Sequence, residues 1–272
     1  MKTLPKKLKK KAEQGFTLIE ILVVMAILAV LAMLIVGAII LAREQARMTQ
    51  AINFDHGIDS SMKDSQIVGW KFDEGSSPAA DEMGNTSFAF GAGTSDAGFD
   101  GGNAIKIANA SSSSQALSSS IGPLSTISFW FKLPDINETT GGTLVAAGRD
   151  SGSGCTSAVT VYIYRPASST NGIYRLAVNI GAATTQSLYS NLYISDTKWH
   201  HVAFSQSVDT KICLDGQCQS PVNGSGATVS DLSSYIVPKI GYVRIGSGIF
   251  CGNGYFDTGV TVDNLRYYSK SF

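Results

Sequence analysis

A run of 22 residues without a charged side chain, Ile21–Ala42, most constrains what this chain can fold into. A helix of about 20 apolar residues spans the hydrocarbon layer of a bilayer, so this run is long enough to cross it once. It is longer than the apolar segment of a secretory signal peptide, which has about 7–15 residues. The preceding segment, Met1–Gly15, contains six lysines and one glutamate, and such a basic flank stays in the cytoplasm. The sequence therefore predicts one membrane-spanning helix with a cytoplasmic N-terminus.

One acidic residue, Glu20, lies at the start of this apolar segment. A carboxylate at bilayer depth costs about 2.5–3.5 kcal/mol unless it meets a partner, which makes Glu20 a candidate functional residue. Cleavage of the chain after Gly15 would create a free amine on Phe16, four residues before Glu20. The amine would then be able to pair with the carboxylate, either within one subunit or between subunits.

The residues around Glu20 resemble the class III prepilin signal of type IV pilins and of type II secretion pseudopilins. The resemblance rests on the basic leader, on Gly15-Phe16-Thr17-Leu18-Ile19-Glu20 and on the apolar helix, and it covers about Lys9–Ala42. It implies that a prepilin peptidase cleaves between Gly15 and Phe16 and that Phe16 is N-methylated. It also implies that the helix packs against other pilin subunits in a filament, with Glu20 facing a neighbouring N-terminus. The alternative is a plain signal-anchor helix.

The charge balance argues against nucleic acid as a partner. The whole chain has 21 Lys+Arg and 21 Asp+Glu, and removal of the leader leaves 15 against 20, a net charge of −5. A mildly acidic mature chain has no excess of basic residues with which to bind phosphates.

The sequence indicates four segments. Residues 1–15 form the leader peptide, and good helix formers continue the hydrophobic pilin helix over residues 16–55. Gly57 indicates the end of that helix, and residues 56–65 are predicted to be a short polar linker. Residues 66–272 form the remaining domain.

That remaining domain shows the period-two pattern of β-strands. Ile127, Phe129 and Phe131 alternate with polar or amphipathic residues, which is typical of a strand with one face in a core. Eight or more such segments favour a jelly-roll sandwich. The predicted fold class is α+β, with a long N-terminal transmembrane or filament helix followed by an all-β jelly-roll sandwich. The predicted strands are Ile67–Phe72, Ile127–Leu133, Thr143–Ala147, Ala158–Tyr164, Tyr174–Ile180, Trp199–Ser205, Lys239–Ile245 and Val260–Tyr268.

Seven short motifs occur along this domain: Trp70–Gly75, Asp81–Asn85, Phe99–Asn103, Ser125–Lys132, Trp199–Ala203, Cys213–Gly216 and Thr261–Tyr268. In this order they resemble a laminin G-like, concanavalin A-like jelly roll. This resemblance implies a fold in which glycan binding, protein binding and hydrolysis all occur. It also implies that Asp81, Asn85 and Asp263 hold a structural calcium ion through hard oxygen ligands. The alternative is that Asp81–Asn85 is simply a turn, because Asp, Gly and Asn favour turns.

Hydrolysis is not expected. Retaining glycosidases need two carboxyl groups about 5–5.5 Å apart, and the E-x-D-x-E strand motif that supplies them is missing from this sequence. The glutamates of the domain, Glu74, Glu82 and Glu138, are not paired with a carboxylate at alternate strand positions. His200 and His201 lie in a predicted strand, where they are expected to be structural. We therefore expect a domain that is not an enzyme.

The four cysteines all lie in the predicted exported domain, where disulfides are favoured. Three pairings are possible. Cys213-Leu-Asp-Gly-Gln-Cys218 is typical of a hairpin with Asp215-Gly216 as its turn, which places the two cysteines opposite each other. Cys155 and Cys251 then form the second pair by elimination. A zinc site is the alternative, although a C-x-x-C pair is missing.

Two functions remain open from the sequence. The first is a minor pilin-like subunit of a type IV pilus or related filament, whose head serves adhesion by recognising a glycan or a surface protein. The second is a structural pilin or type II secretion pseudopilin whose head has no ligand. In either case the precursor is expected in the inner membrane and the mature chain in an extracellular filament. Exposed Trp or Tyr on a concave face would favour recognition, whereas Trp70, Trp130 and Trp199 are expected in the core.

Overall fold

The computed structural model describes most of the chain, in two compact units that meet between Arg47 and Met48. The described residues are 16–89, 93–107, 113–136, 141–149, 158–166, 172–181, 185–235, 237, 239–246 and 259–272.

The helix α1 (Leu18–Met62) has 45 residues and begins with a capping box. Thr17 Oγ1 accepts a hydrogen bond of 3.3 Å from the Glu20 amide, and Glu20 Oε2 accepts one of 2.8 Å from the Thr17 amide. This reciprocal pair satisfies amide donors that lack partners within the first turn. The large apolar side chains from Phe16 to Leu41 are exposed on all sides of the helix. Among the described residues, α1 alone is long and apolar enough to cross a membrane, judged by length and composition.

The C-terminal end of α1 differs from the expectation. The helix does not stop at Gly57 but continues to Met62, and a 3-10 turn (Lys63–Ser65) follows, so residues 56–65 are not a linker. The reason is packing, because Ile58 and Met62 are buried on one face of this last part of the helix. Burial of two such side chains outweighs the cost of about 1 kcal/mol for a glycine inside a helix.

Sixteen strands lie within the described residues, and each of the eight predicted strands overlaps one of them. The strands are β1 (Gln66–Trp70), β2 (Ala79–Ala80), β3 (Ser87–Phe88), β4 (Gly93–Ala97), β5 (Asn103–Ile107), β6 (Ser113–Ile121), β7 (Thr126–Lys132), β8 (Gly141–Gly148), β9 (Ala158–Tyr164), β10 (Tyr174–Gly181), β11 (Thr185–Ile194), β12 (His200–Ser205), β13 (Lys211–Leu214), β14 (Gln217–Gln219), β15 (Ile240–Ile245) and β16 (Val260–Tyr268). A second 3-10 turn covers Ser233–Tyr235.

The strands form two larger sheets in which all the pairings are antiparallel. The eight-stranded sheet has the order β14-β13-β12-β7-β16-β5-β4, with β1 also paired to β16. The six-stranded sheet has the order β11-β10-β9-β8-β15-β6, and β2 and β3 form a separate pair. Alternate side chains of both sheets enter one shared core, as Phe129 and Phe131 do from β7 and Val161 and Ile163 do from β9. The predicted α+β class, a long helix followed by an all-β sandwich, is confirmed.

A smaller apolar cluster holds the last turns of α1 against the outer face of the eight-stranded sheet. Ile58 and Met62 pack there with Ala203, Cys213 and Tyr268. Residues Met48–Met62 belong to the same compact unit as the sandwich. The candidate ligand pocket lies on the other sheet, at the outer face of the six-stranded sheet.

Candidate functional site

The predicted processing site lies at the beginning of the described residues. Gly15 is outside them, and Phe16 is exposed just before the helix. The Glu20 carboxylate accepts hydrogen bonds from the amide and the hydroxyl of Thr17, at 2.8 and 2.9 Å. Glu20 thus has a local partner before any neighbouring subunit is present.

A buried polar cluster joins the end of α1 to the eight-stranded sheet. Trp130 Nε1 donates a hydrogen bond of 3.0 Å to Asp55 Oδ2. Asp55 Oδ1 lies 3.2 Å from His201 Nε2 and 3.5 Å from Arg266 Nη1. His201 Nε2 also lies 2.8 Å from Ser128 Oγ. We call these five residues the Asp55 cluster.

The Asp55 carboxylate is ionised because its partners outweigh its burial. Burial acts to raise its pKa, but the hydrogen bond and charge of His201, the charge of Arg266 and the Trp130 hydrogen bond lower the pKa to about 2. A buried carboxylate with this many partners stabilises the junction only while every partner is present. The cluster was not predicted from the sequence, although one helical face is visible there in the spacing of Ala51, Asp55, Ile58 and Met62.

The two neighbouring histidines make buried contacts within the head. His200 Nδ1 lies 2.8 Å from Asp215 Oδ2, and His200 Nε2 lies 3.0 Å from Asp196 Oδ1. Asp215 Oδ1 accepts a hydrogen bond of 2.9 Å from the His201 amide. These contacts tie β12 to the turn between β13 and β14.

The hairpin of β13 and β14 contains the predicted disulfide. Cys213 and Cys218 are paired across the strands and are bonded with a Cα–Cα distance of 4.0 Å. Asp215 and Gly216 both have positive φ, 51° and 77°, as a two-residue type I′ turn requires. Cys155 and Cys251 lie outside the described residues, so their pairing stays a prediction.

The tip of this hairpin touches the helix. A Cβ atom at Gly216 would lie 3.1 Å from Gln50 Cγ and 3.2 Å from Phe54 Cβ. Only glycine fits both the backbone conformation and this close approach. The disulfide hairpin therefore provides a second packing contact with the last turns of α1.

Asp81 and Asn85, two of the predicted calcium ligands, form a turn. Asp81 Oδ1 accepts hydrogen bonds from the amides of Gly69 (2.8 Å) and Met83 (3.1 Å), and Oδ2 accepts one from Asn85 (2.9 Å). The Asn85 side-chain amide donates to the Ile67 carbonyl at 3.3 Å. The carboxylate of Asp81 is thus used to tie the turn to β1.

Asp263, the third predicted ligand, binds different amides. Its oxygens accept hydrogen bonds from the amides of Phe99 (3.2 Å) and Asn264 (2.8 Å). Burial raises the pKa of Asp263 to about 7, and the charges of Asp100 and Asp73 add to this effect.

Asp81 and Asn85 thus make hydrogen bonds within one turn and with β1, whereas Asp263 bonds to the amides of Phe99 and Asn264. Across the described ranges, no group of three or more His, Cys, Asp or Glu side chains is arranged to hold a metal ion. Calcium binding therefore stays a prediction of the resemblance. A rise in the midpoint of thermal unfolding at saturating calcium, lost in Asp263→Ala, would support it.

A pocket of about 560 Å³ opens at the outer face of the six-stranded sheet. It has the size of ordinary ligand pockets, which occupy about 300–1,000 Å³. Its lining residues are Tyr164 from β9, Arg175 from β10, Tyr189 and Asn191 from β11, and Val222, Asn223, Gly224 and Gly226 from the segment after β14. We call it the tyrosine pocket.

The strand period explains why these side chains share a face. Ile163, Leu176 and Leu188 point into the core, so their sequence neighbours Tyr164, Arg175 and Tyr189 point outward. In the register, Tyr164 is opposite Arg175, and Arg175 is opposite Tyr193. The rings of Tyr164 and Tyr189 meet edge to face with centroids 5.2 Å apart.

The wall of the pocket is fixed by backbone hydrogen bonds. The amide of Tyr189 donates to the Val222 carbonyl at 2.8 Å, and the amide of Val222 donates to the Tyr189 carbonyl at 2.9 Å. Asn223 Oδ1 accepts hydrogen bonds from the amides of Ser225 (3.1 Å) and Ala227 (3.0 Å). The loop that closes the pocket therefore has a defined conformation.

The tryptophans do not contribute to this pocket. Trp70 and Trp130 are fully buried, and Trp199 is partly buried with Lys132 Nζ 5.1 Å from its ring centroid. The exposed aromatic surface is made of tyrosines instead, including Tyr193, which is 54% exposed. The sequence signal was available, because Tyr162, Tyr164, Tyr189 and Tyr193 alternate with core residues on neighbouring strands.

The N-terminal residues match a known family. Residues 10–41 match the family model described as the prokaryotic N-terminal methylation motif. The chain thus carries a prepilin motif, a long apolar helix and then a β-sandwich. No curated protein matches the sequence.

Solved structures similar to this chain share little sequence with it. The binding domain of botulinum neurotoxin DC, in complex with SialylT, has 11% identity and a TM-score of 0.48 over 77% of this chain and 49% of that chain. Trypanosoma rangeli sialidase has 14% identity and a TM-score of 0.49 over 76% of this chain and 31% of the sialidase. Domain 4 of an extracellular arabinanase from Geobacillus stearothermophilus, in complex with arabinotriose, has 18% identity and a TM-score of 0.45 over 76% and 94%. The chain therefore spans less than half of the first two structures.

Proposed function

We propose that this chain is a minor pilin-like subunit of a surface filament and that its β-sandwich head recognises carbohydrate. The N-terminal methylation motif at residues 10–41 and the apolar helix are consistent with a membrane-anchored precursor that is assembled into a filament. In this account a prepilin peptidase cleaves after Gly15, Phe16 is methylated, and α1 packs with other pilin subunits. Intact-mass analysis of the mature chain tests the cleavage, since it should begin at methylated Phe16.

The tyrosine pocket is the observation that carries the proposal for the head. Aromatic rings offer flat apolar faces to sugar rings, and the hydroxyl and amide groups beside them can hydrogen-bond to sugar hydroxyls. Tyr164 and Tyr189 supply such rings, and Asn191, Asn223 and Arg175 supply polar groups at the same pocket. Burial raises the pKa of the Tyr164 hydroxyl, which keeps it protonated and able to donate.

We propose that this head binds sugar without hydrolysing it. The described lining of the tyrosine pocket contains no carboxylate, whereas a retaining glycosidase needs two about 5–5.5 Å apart. Of the head glutamates, Glu82 forms ion pairs with Lys71 and Arg266, and Glu74 accepts a hydrogen bond from the Ala80 amide. Glu138 lies outside the described residues.

The Asp55 cluster supports a role in a filament that bears load. It links the last turns of α1 to β7, β12 and β16 by buried polar contacts, in addition to the apolar cluster around Met62. Force on a bound head would therefore reach the helix through buried contacts. The same cluster would serve a structural pilin or type II secretion pseudopilin whose head has no ligand, which is the second candidate.

A glycan array separates the two candidates. The full-length chain in detergent is screened beside Tyr164→Ala and Tyr164→Phe. The recognition function predicts binding that Tyr164→Ala abolishes and Tyr164→Phe largely keeps, because phenylalanine retains the ring. Absence of binding by the wild-type chain to every glycan would favour the structural pilin. Release of sugar from any bound glycan would contradict the proposal that the head is not catalytic.

A further inference from the structure

Arg175 is the charged residue of the tyrosine pocket, and its described contacts leave its charge without an acidic partner. Within the described parts of the chain, no carboxylate lies at ion-pair distance from its guanidinium group. Its contacts are neutral: Nε donates to the Ser190 carbonyl at 2.7 Å, and Nη2 donates to Asn191 Oδ1 at 2.6 Å. The described residues thus accept hydrogen bonds from two of its five N–H donors, and the other three point to no described acceptor and can serve a ligand.

The guanidinium group is also held in place. Its central carbon lies 5.9 Å from the ring centroids of both Tyr164 and Tyr193, within the range of cation–π attraction. Its partner Ser190 is itself fixed, because Ser190 Oγ donates to the Leu176 carbonyl at 2.6 Å. A planar group fixed in this way has lost most of its side-chain freedom before a ligand arrives, which favours binding.

A fixed guanidinium group with unused donors matches a carboxylate. The planar fork of arginine binds carboxylates through two parallel hydrogen bonds, which neutral sugar hydroxyls cannot reproduce as strongly. The mature chain has a net charge of −5, so this local positive group stands out against an acidic molecule. The molecule as a whole therefore does not attract polyanions such as nucleic acid, and the attraction for an anion is local to this pocket.

We propose that the tyrosine pocket selects an acidic sugar, with its carboxylate paired to Arg175 and its ring against Tyr164 and Tyr189. The proposal rests on the carbohydrate-recognition function above and names the ligand class of that same pocket. Sulfated sugars share the negative charge but not the planar carboxylate, so they are expected to bind more weakly.

The test compares matched acidic and neutral sugars on the full-length chain in detergent. The probes are sialyllactose, a hyaluronan tetrasaccharide and tetragalacturonate, each beside its methyl ester, with a sulfated disaccharide as the other anion. We expect at least one carboxylate form to bind tenfold or more tightly than its ester, and to weaken as salt is raised. This comparison uses the wild-type chain, so it does not depend on the folding of a variant.

Substitutions then assign the selectivity to Arg175. Arg175→Gln should reduce the affinity for the acid to that for the ester, and Arg175→Lys should keep only part of the preference. Lys63→Gln, which removes one exposed positive charge at the end of α1, is the matched control and should change nothing. Equal thermal unfolding midpoints for the variants show that the fold is retained.

Different binding results would contradict the acidic-sugar proposal and the carbohydrate-recognition proposal. Equal binding of acids and esters, or a preference that survives in Arg175→Gln, would overturn the acidic-sugar proposal and leave carbohydrate recognition standing. Failure of the wild-type chain to bind any of the probes or any neutral glycan would overturn both.

Discussion

Asp55 and Trp130 are 75 positions apart in sequence and are joined by a hydrogen bond of 3.0 Å from the indole Nε1 to the carboxylate Oδ2. Trp130 is stacked on Phe99 at a centroid distance of 4.1 Å, so its indole is fixed on the sheet. Through this bond the last turns of α1 become part of the head. The helix end and the sandwich should therefore unfold together.

Removal of the Asp55 carboxylate should destabilise the head strongly. Asp55→Asn removes the carboxylate that contacts the buried His201 and leaves the buried Arg266 with Glu82 as its remaining close carboxylate. Breaking a buried charge pair typically costs about 3–5 kcal/mol. Asp59→Asn is the matched control on the same helix, because its side chain is 39% exposed and 4.0 Å from Arg266. We expect the control to change the free energy of unfolding by less than about 0.5 kcal/mol. Equal effects of the two substitutions in denaturant titrations would contradict a special role for Asp55.

The stabilisation of the folded state by Asp55 should decrease as the pH is lowered. Its pKa is about 2 in the folded chain against an ordinary 3.8, so the folded state binds this proton more weakly than the unfolded state. The stabilisation is therefore complete above about pH 3.8 and is lost as the pH falls towards 2. The difference in unfolding free energy between the wild type and Asp55→Asn should shrink over this window. A constant difference from pH 6 to pH 2 would show that the carboxylate charge is not responsible.

The close contact of the disulfide hairpin with the helix predicts a difference between two glycines. Gly216 and Gly84 both have positive φ, 77° and 71°, so alanine at either position strains the backbone. At Gly216 the added Cβ also meets Gln50 and Phe54, whereas at Gly84 it meets nothing within 4 Å. Gly216→Ala should therefore lower the midpoint of thermal unfolding more than Gly84→Ala does. Similar losses would mean that the hairpin tip and the helix do not constrain each other.

The capping box at the start of α1 allows two roles of Glu20 to be separated. Glu20→Ala removes both the cap and the carboxylate, whereas Thr17→Ala removes the two hydroxyl hydrogen bonds of the cap and keeps the carboxylate with its bond from the residue-17 amide. If Glu20 pairs with the Phe16 amine of a neighbouring subunit, only Glu20→Ala should reduce the yield of sheared filaments, and both variants should insert in the membrane. Comparable filament yields from the two variants would show that Glu20 acts only as a helix cap.

Local patterns predict the elements of this fold but not its long-range contacts. The alternation of Ile127, Phe129 and Phe131 defines β7, and Asp215-Gly216 defines the disulfide hairpin, because both signals lie within a few residues. The extension of α1 past Gly57 depends on a surface formed by residues far along the chain. The bond between Asp55 and Arg266 spans 211 positions, and no local pattern indicates it.

The tyrosine pocket shows the same limit for the candidate site. Each tyrosine follows from strand alternation, but the meeting of Tyr164, Arg175 and Tyr189 depends on the register of three strands. The wall from Val222 depends on its two hydrogen bonds with Tyr189. The sequence predicts on which face of a strand each of these side chains lies. It does not predict which of them become neighbours in a pocket.

The most direct test of the whole account measures the binding of sheared surface filaments to immobilised acidic glycans. Filaments from cells that express the wild-type chain are compared with filaments that carry the Tyr164→Ala, Tyr189→Ala double variant. If the head recognises acidic sugars from within a filament, both filament fractions contain equal amounts of processed chain and only the wild-type filaments bind. Equal binding by both filaments, or absence of the wild-type chain from the filament fraction, would contradict it.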